Sequence, residues 1–128
     1  MAVVNKTILI VEDDESLVDL YSLEFQDEGY RVLAATSGER ALARVQEDAV
    51  DLVVLDLKME GMDGLTTLGE LLRVRRDLPV VINSAYPAFK HDFGAWGAEA
   101  YVVKSANLDE LKCRVREALQ RREQVQAA

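Results

Sequence analysis

Residues 7–15 read Thr7-Ile8-Leu9-Ile10-Val11-Glu12-Asp13-Asp14-Glu15. A short, largely apolar and β-branched run passes without a break into four acids. A near-continuous apolar run of this length suits a strand covered on both faces, the habit of parallel sheets. The acids then fall where the strand ends. Four further runs repeat the pattern: Arg31 to Ala35, Leu52 to Leu55, Val80 to Ile82 and Tyr101 to Val103. Longer amphipathic segments lie between them.

Those segments read as helices. Leu17, Leu20, Tyr21 and Phe25 are expected to form one buried stripe, with Gly29 just past the helix end. Thr36 and Glu39 predict a capping box for the next helix, with Ala41, Leu42 and Val45 inward. Asp63 is expected to cap a third helix, with Leu65, Leu68 and Leu72 inward. Pro87 suits the first turn of a fourth, with Phe89, Phe93 and Trp96 on one face. Gly94 and Gly97 weaken that fourth helix. Asn107 and Glu110 box the last helix, with Leu108, Leu111, Val115 and Leu119 inward.

The chain is therefore expected to be α/β, a doubly wound (βα)5 domain with a five-stranded parallel sheet and helices on both faces. Five strands are too few for an eight-stranded barrel. The common order for five such units is 2-1-3-4-5, with a switch point between strands 1 and 3. A site is expected beyond the carboxyl ends of those strands.

The 128 residues amount to a single domain. Asp and Glu number 23 against 15 Lys and Arg, a formal charge of −8. That balance argues against direct nucleic-acid binding and against a polybasic membrane anchor. One cysteine, Cys113, leaves no intramolecular disulfide and fits a cytoplasmic setting. No apolar run approaches the ~18 residues of a membrane span.

Strand 1 runs into Glu12 and Asp13, and strand 3 into Asp56. The expected strand order brings these three carboxylates together. They repel one another unless a cation neutralises them, and hard oxygen donors without Cys or His point to Mg²⁺ or a similar ion. Helix capping and the helix dipole are the plainer account of an acidic run, and they suit Asp14, Glu15 and Ser16. Asp56, a lone acid at the end of an apolar strand, is harder to explain that way. Strand 4 ends in Asn83-Ser84-Ala85, and Lys104 follows strand 5. Carboxylate, metal, hydroxyl and ammonium are the parts needed to receive and hold a phosphoryl group. Ser84 as a capping serine and Lys104 in a surface ion pair are the plainer alternatives.

The segments ILIVEDDESL, DLVVLDLKMEGMDGL, PVVINSAY and GAEAYVVKS, in that order, resemble the CheY-like receiver domain of bacterial two-component response regulators, which has a flavodoxin-like fold. The likeness runs from about Lys6 to about Arg121. It implies that Asp56 is the phosphoacceptor. It implies that Asp13 and Asp56 are metal ligands, with Glu12 acting through water and the Lys58 backbone carbonyl completing a Mg²⁺ (or Mn²⁺) site. Ser84 matches the hydroxyl residue that binds the phosphoryl group, and Lys104 its salt-bridge partner. Tyr101 matches the switch aromatic, although a half-buried strand aromatic is its plainer reading. The phosphoryl donor is implied to be a histidine kinase or phosphotransfer protein. Partners are expected to read the face built from the fourth helix, fifth strand and last helix, a homodimer included.

Three positions depart from the family pattern: Glu60 stands where proline is usual, Lys58 places a cation two residues past the acceptor, and Ser105 replaces a proline after Lys104. A cis bond to a non-proline residue costs about 2.5–4 kcal/mol, so a trans Lys104–Ser105 bond and a shifted loop are expected. His91 and Cys113 are expected to be bystanders, Trp96 a packing residue, and Arg73, Arg75 and Arg76 a solvated helix end. A Mg-dependent phosphatase lacks a spare acid and a substrate pocket here. An FMN binder would need a phosphate loop where Glu12 to Glu15 repel phosphate. A degenerate receiver acting without phosphorylation conflicts with the intact set Glu12, Asp13, Asp56, Ser84 and Lys104. No output domain is expected within residues 1–128, so output is assigned to a downstream protein or a missing segment.

Overall fold

The computed structural model describes residues 5–59, 63–87 and 93–127. Five strands, β1 (Thr7–Val11), β2 (Arg31–Ala35), β3 (Leu52–Leu55), β4 (Val80–Ser84) and β5 (Ala100–Val103), form one sheet. All its pairings are parallel and its order is β2-β1-β3-β4-β5, as the alternation of runs led us to expect. Among the described residues four α-helices accompany it: α1 (Glu15–Asp27), α2 (Gly38–Glu47), α3 (Gly64–Val74) and α4 (Asp109–Ala127).

The two faces of the sheet hold separate apolar clusters. Ile8, Ile10, Leu52, Val54, Val81, Ala100 and Val102 pack against Tyr21 and Phe25 of α1 and Leu111, Val115 and Leu119 of α4. Leu9, Val11, Val53, Leu55, Val80, Ile82 and Tyr101 pack against Ala41 and Val45 of α2 and Leu68 and Leu71 of α3. This strict alternation explains the unbroken apolar runs, because each side chain of a doubly covered strand finds a core.

The helix ends are set locally. Asp14 caps α1, its carboxylate accepting the N–H groups of Ser16 and Leu17 at 2.9 and 3.4 Å. Past its far end the Gly29 N–H donates to Gln26 O and the Tyr30 N–H to Phe25 O. This Schellman closure needs the positive φ of 99° that Gly29 adopts. Asp63 caps α3 through the Thr66 N–H at 2.8 Å, as expected. Asn107 accepts the Asp109 N–H at 2.8 Å at the start of α4.

Several expectations are corrected. The cap of α2 is Ser37, not Thr36; its hydroxyl accepts the Arg40 N–H at 3.2 Å. Leu20 and Leu65 are each 42 % exposed, because they lie at the edges of their helical stripes, and Leu71 takes an inward place in α3. In the fourth helical segment, the described residues form a one-turn 3-10 helix, Phe93–Trp96, where an α-helix was expected. Gly97 beside it, at φ 88°, closes that turn. Phe89, His91 and Glu60 lie outside the described residues. Phe93 and Trp96 pack on the α2–α3 side of the core. Arg75 is not simply solvated, since its guanidinium donates to the Val50 carbonyl at 2.6 Å. No cis peptide bond occurs among the described residues, so the Lys104–Ser105 bond is trans.

Candidate functional site: an acidic cleft at the sheet edge

The ladder continues past the strand ends, and this places the site. The Glu12 N–H donates to Ala35 O, the Asp56 N–H to Val11 O and the Lys104 N–H to Ser84 O, at 3.1, 3.0 and 2.7 Å. Extended backbone keeps the two-residue alternation of side chains. Glu12 therefore follows Ile10, Asp56 follows Val54 and Lys104 follows Val102, all on the sheet face covered by α1 and α4. Three strands thus deliver a carboxylate, a second carboxylate and an ammonium to one corner.

Lys104 Nζ lies 2.7 Å from Glu12 Oε1 and 3.2 Å from Asp56 Oδ2. The other oxygen of Asp56 accepts the Lys58 N–H at 3.2 Å, and Glu12 Oε2 accepts the Asp14 N–H at 3.2 Å. Glu12 and Asp56 are buried, whereas Asp13 is exposed at the rim. Carboxylate oxygens of Glu12, Asp13 and Asp56 all lie within 4.8 Å of one another. These groups line a cleft of about 350 Å³ together with Lys58, Met59, Ala85 and Tyr86.

The protonation equilibria follow from this crowding. Burial, reinforced by the charge of Asp56, pushes the Glu12 carboxyl above its ordinary 4.5 despite the hydrogen bond from Lys104. Burial pulls Lys104 down, but its bonds and attraction to Glu12 and Asp56 outweigh that and hold it above 10.5. One cation thus serves two buried anions, and Asp13 adds a third negative charge at the rim. Three oxygen donors with a surplus of negative charge, and no Cys or His among the described residues that line the cleft, fit a hard divalent cation.

Lys58 reaches across the mouth of the cleft, its ammonium 5.8 Å from the centre of the Tyr86 ring. Its hydrogen bond to Tyr86, then the charges of Asp56 and Asp13, hold it above the usual lysine value.

Ser84 and Tyr101 occupy the other sheet face. Ser84 is fully buried and its hydroxyl accepts the Tyr86 N–H at 3.2 Å, so it does not line the cleft. Tyr101 is buried and its phenol donates to the Tyr86 carbonyl. The backbone of Tyr86 thereby joins the two residues expected to switch. Tyr86 itself was given no role from sequence; an aromatic two places beyond Ser84, opposite a lysine two places beyond Asp56, is the available signal.

Gly64 was also missed. A Cβ there would lie 2.3 Å from Leu57 Cα and 2.7 Å from Asp56 O, far inside contact distance. Its N–H donates to Leu57 O at 2.9 Å. The first residue of α3 is thus seated on the loop that carries Asp56.

Fold and cleft together define a receiver domain, the phosphoacceptor switch of two-component signalling. The family model described as the response regulator receiver domain matches residues 8–116, and the chain belongs to that family. ZraR, a transcriptional regulatory protein of Escherichia coli K12, is 36% identical over 117 residues, which cover 90% of this chain and 26% of ZraR. YvrH of Bacillus subtilis 168 is 39% identical over 120 residues, covering 91% of this chain and 50% of YvrH. The chain therefore spans between a quarter and a half of the length of these curated relatives. The crystal structure of the response regulator TrrA from Thermotoga maritima in complex with Mg²⁺–BeF matches with a TM-score of 0.83 at 39% identity, covering 88% of this chain and 98% of that one. TrrA has also been solved in complex with the histidine kinase ThkA. A receiver domain is a signalling module rather than an enzyme acting on a separate substrate.

Proposed function

We propose that Asp56 accepts a phosphoryl group from a phosphohistidine on a histidine kinase or phosphotransfer protein. One carboxylate oxygen of Asp56 bonds to phosphorus as the bond from phosphorus to the donor nitrogen breaks, leaving an acyl phosphate and a neutral imidazole. Asp13 and Asp56, with Glu12 through water and the Lys58 carbonyl, would hold Mg²⁺ or Mn²⁺. The ion supplies charge neutralisation at the phosphoryl oxygens. Lys104 turns from Glu12 toward those oxygens. The observation that carries this reading is the setting of Asp56: buried, 3.2 Å from Lys104, and within 4.8 Å of two further carboxylates. TrrA, seen with Mg²⁺–BeF and with a histidine kinase, supports it.

Residues 1–128 act in this reading as one receiver unit in the cytoplasm, with no direct contact to nucleic acid or membrane. No helix among the described residues is long and apolar enough to cross a membrane. Ser84 leaves the Tyr86 N–H for the phosphoryl group, and the Tyr86 backbone passes that change to Tyr101. A downstream protein, a further segment or a second copy reads the altered face of the 3-10 turn, β5 and α4. The alternative, a receiver that binds partners without phosphorylation, keeps the fold and leaves Asp56 unmodified. Labelling by acetyl phosphate with Mg²⁺ separates the two. The wild type is expected to take one phosphoryl group and Asp56→Asn none; equal labelling of both would remove Asp56 from the role.

A further inference from the structure

Four carboxylates line the cleft, Glu12, Asp13, Asp14 and Asp56, and among the described residues two cations face them, Lys58 and Lys104. Lys104 is half-buried and committed inside, 2.7 Å from Glu12 and 3.2 Å from Asp56. A phosphoryl donor brings about two more negative charges to the mouth. With a divalent ion and Lys104 in place, the four acids still leave one negative charge uncompensated. Lys58 brings that sum to zero, so whether the cleft repels a donor turns on this side chain.

Lys58 is placed for the task. It is exposed, and its backbone is fixed by its own N–H donating to Asp56 Oδ1 at 3.2 Å. Its ammonium stands 5.8 Å from the centre of the Tyr86 ring. Lys58, Met59 and Tyr86 line the cleft on one side and, on the other, a groove shared with Leu57, Asp63 and Leu65. They form the wall between the two, and the ammonium therefore stands on the rim. The ring beneath it is seated through its backbone: the Tyr86 N–H donates to Ser84 Oγ, and its carbonyl accepts the Tyr101 hydroxyl. An exposed cation–π contact is weak, so it orders a long side chain over the mouth and still releases it to an anion. A compact ammonium with three rotatable donors suits phosphoryl oxygens as a point charge.

We propose that the Lys58 side chain captures the phosphoryl donor. Perched on Tyr86, its ammonium meets the phosphoryl oxygens at the rim and offsets the repulsion of the acids before Lys104 engages them inside. This rests on the reading of Asp56 as phosphoacceptor. The same ammonium repels a divalent ion held by Asp13 and Asp56, so it favours the donor and opposes the metal.

The test compares wild type with Lys58→Gln, Lys58→Arg and Tyr86→Leu. Two quantities are read: the second-order rate of labelling by acetyl phosphate at saturating Mg²⁺, and the Mg²⁺ dissociation constant by calorimetry without donor. Losing one unit charge about 6 Å from a dianion at a wet surface is expected to slow labelling roughly three- to tenfold in Lys58→Gln. Mg²⁺ is expected to bind that variant about two- to fivefold more tightly, and Lys58→Arg to restore both values. Tyr86→Leu keeps the ammonium without its perch and is expected to slow labelling by less than Lys58→Gln. The gap between wild type and Lys58→Gln should close in ~1 M KCl, where charges are screened within about 3 Å. A wild-type rate in Lys58→Gln or in Tyr86→Leu overturns the proposal. Slower labelling with weaker Mg²⁺ binding overturns it too, because that marks a distorted metal loop, and so does a gap that ignores salt. Absent labelling of the wild type, or full labelling of Asp56→Asn, sinks the phosphoacceptor reading itself and is distinguishable from each result above.

Discussion

Two glycines five residues apart on α3 should respond to alanine with opposite signs. At Gly69 nothing lies within 4 Å of an added Cβ. Alanine there removes unfolded-state freedom and improves helix propensity, a gain of about 0.5–1 kcal/mol. At Gly64 the same methyl group meets Leu57 Cα at 2.3 Å and the carbonyls of Asp56 and Leu57 at 2.7 Å. All three are backbone atoms, so no side chain can swing aside. Overpacking of this kind costs about 1–3 kcal/mol. The Gly64 N–H bond to Leu57 O, 2.9 Å long, is lost as the loop yields, at about 1 kcal/mol. After the propensity gain, the net loss is about 1–3.5 kcal/mol. For a chain of this size that lowers Tm by roughly 3–18 °C, whereas Gly69→Ala raises it by about 2–5 °C. Thermal and urea unfolding followed by circular dichroism measure both. The displaced loop carries Asp56, so Gly64→Ala should also weaken Mg²⁺ binding and slow phosphoryl labelling, while Gly69→Ala leaves both alone. Shifts of the same sign and size in the two variants would refute the close-approach argument.

Glu12 gives a pH dependence. Its folded-state pKa is raised above 4.5, so its contribution to stability is fully present below 4.5 and is lost as pH rises through the raised value. Divalent-ion affinity should run the other way and fall as pH drops through the same window, in Mg²⁺ titrations followed by Trp96 fluorescence; an affinity flat across it would contradict the assignment. Burial likewise raises Tyr30 above 10.0, so its contribution is intact below 10.0 and lost as pH climbs through the raised value. Tyr30→Phe should unfold at higher pH than the wild type in an alkaline titration. Phe25 is fully buried and Leu23 is 63 % exposed on the same helix. Phe25→Ala should cost about 3–5 kcal/mol by urea unfolding. Leu23→Gln should change stability by no more than about 0.5 kcal/mol.

How much of this could be read from residues alone differs by kind of interaction. Glu12, Asp56 and Lys104 were legible because each ends an unbroken apolar run, and parallel strands bring such ends to one edge. The bounds of β1, β2 and β3 were legible for the same reason, whereas β4 runs two residues past its apolar run, to Ser84, and β5 begins one residue earlier, at Ala100. Leu20 and Leu65 were misread because a 3.6-residue period locates a stripe but not its width. Thr36 lost the cap of α2 to Ser37 because adjacent hydroxyls fit the motif equally well until the backbone chooses. Gly64 and Gly69 are indistinguishable as letters; only the approach of the Asp56 loop separates them. The Tyr86 link between Ser84 and Tyr101 runs through backbone atoms, which no side-chain pattern encodes. The 3-10 turn was foreshadowed by Gly94 and Gly97, whose weakness as helix formers was visible in advance.

The continued ladder puts all the chemistry at one rim of the sheet. The opposite rim, where the strands begin, is occupied by structural work such as the Asp51 carboxylate accepting the Thr7 N–H at 2.8 Å. Ala49 stands exposed on that far side. A probe or surface tether attached there, through Ala49→Cys in a chain whose half-buried Cys113 has been replaced, would leave cleft and reading face both turned to solution.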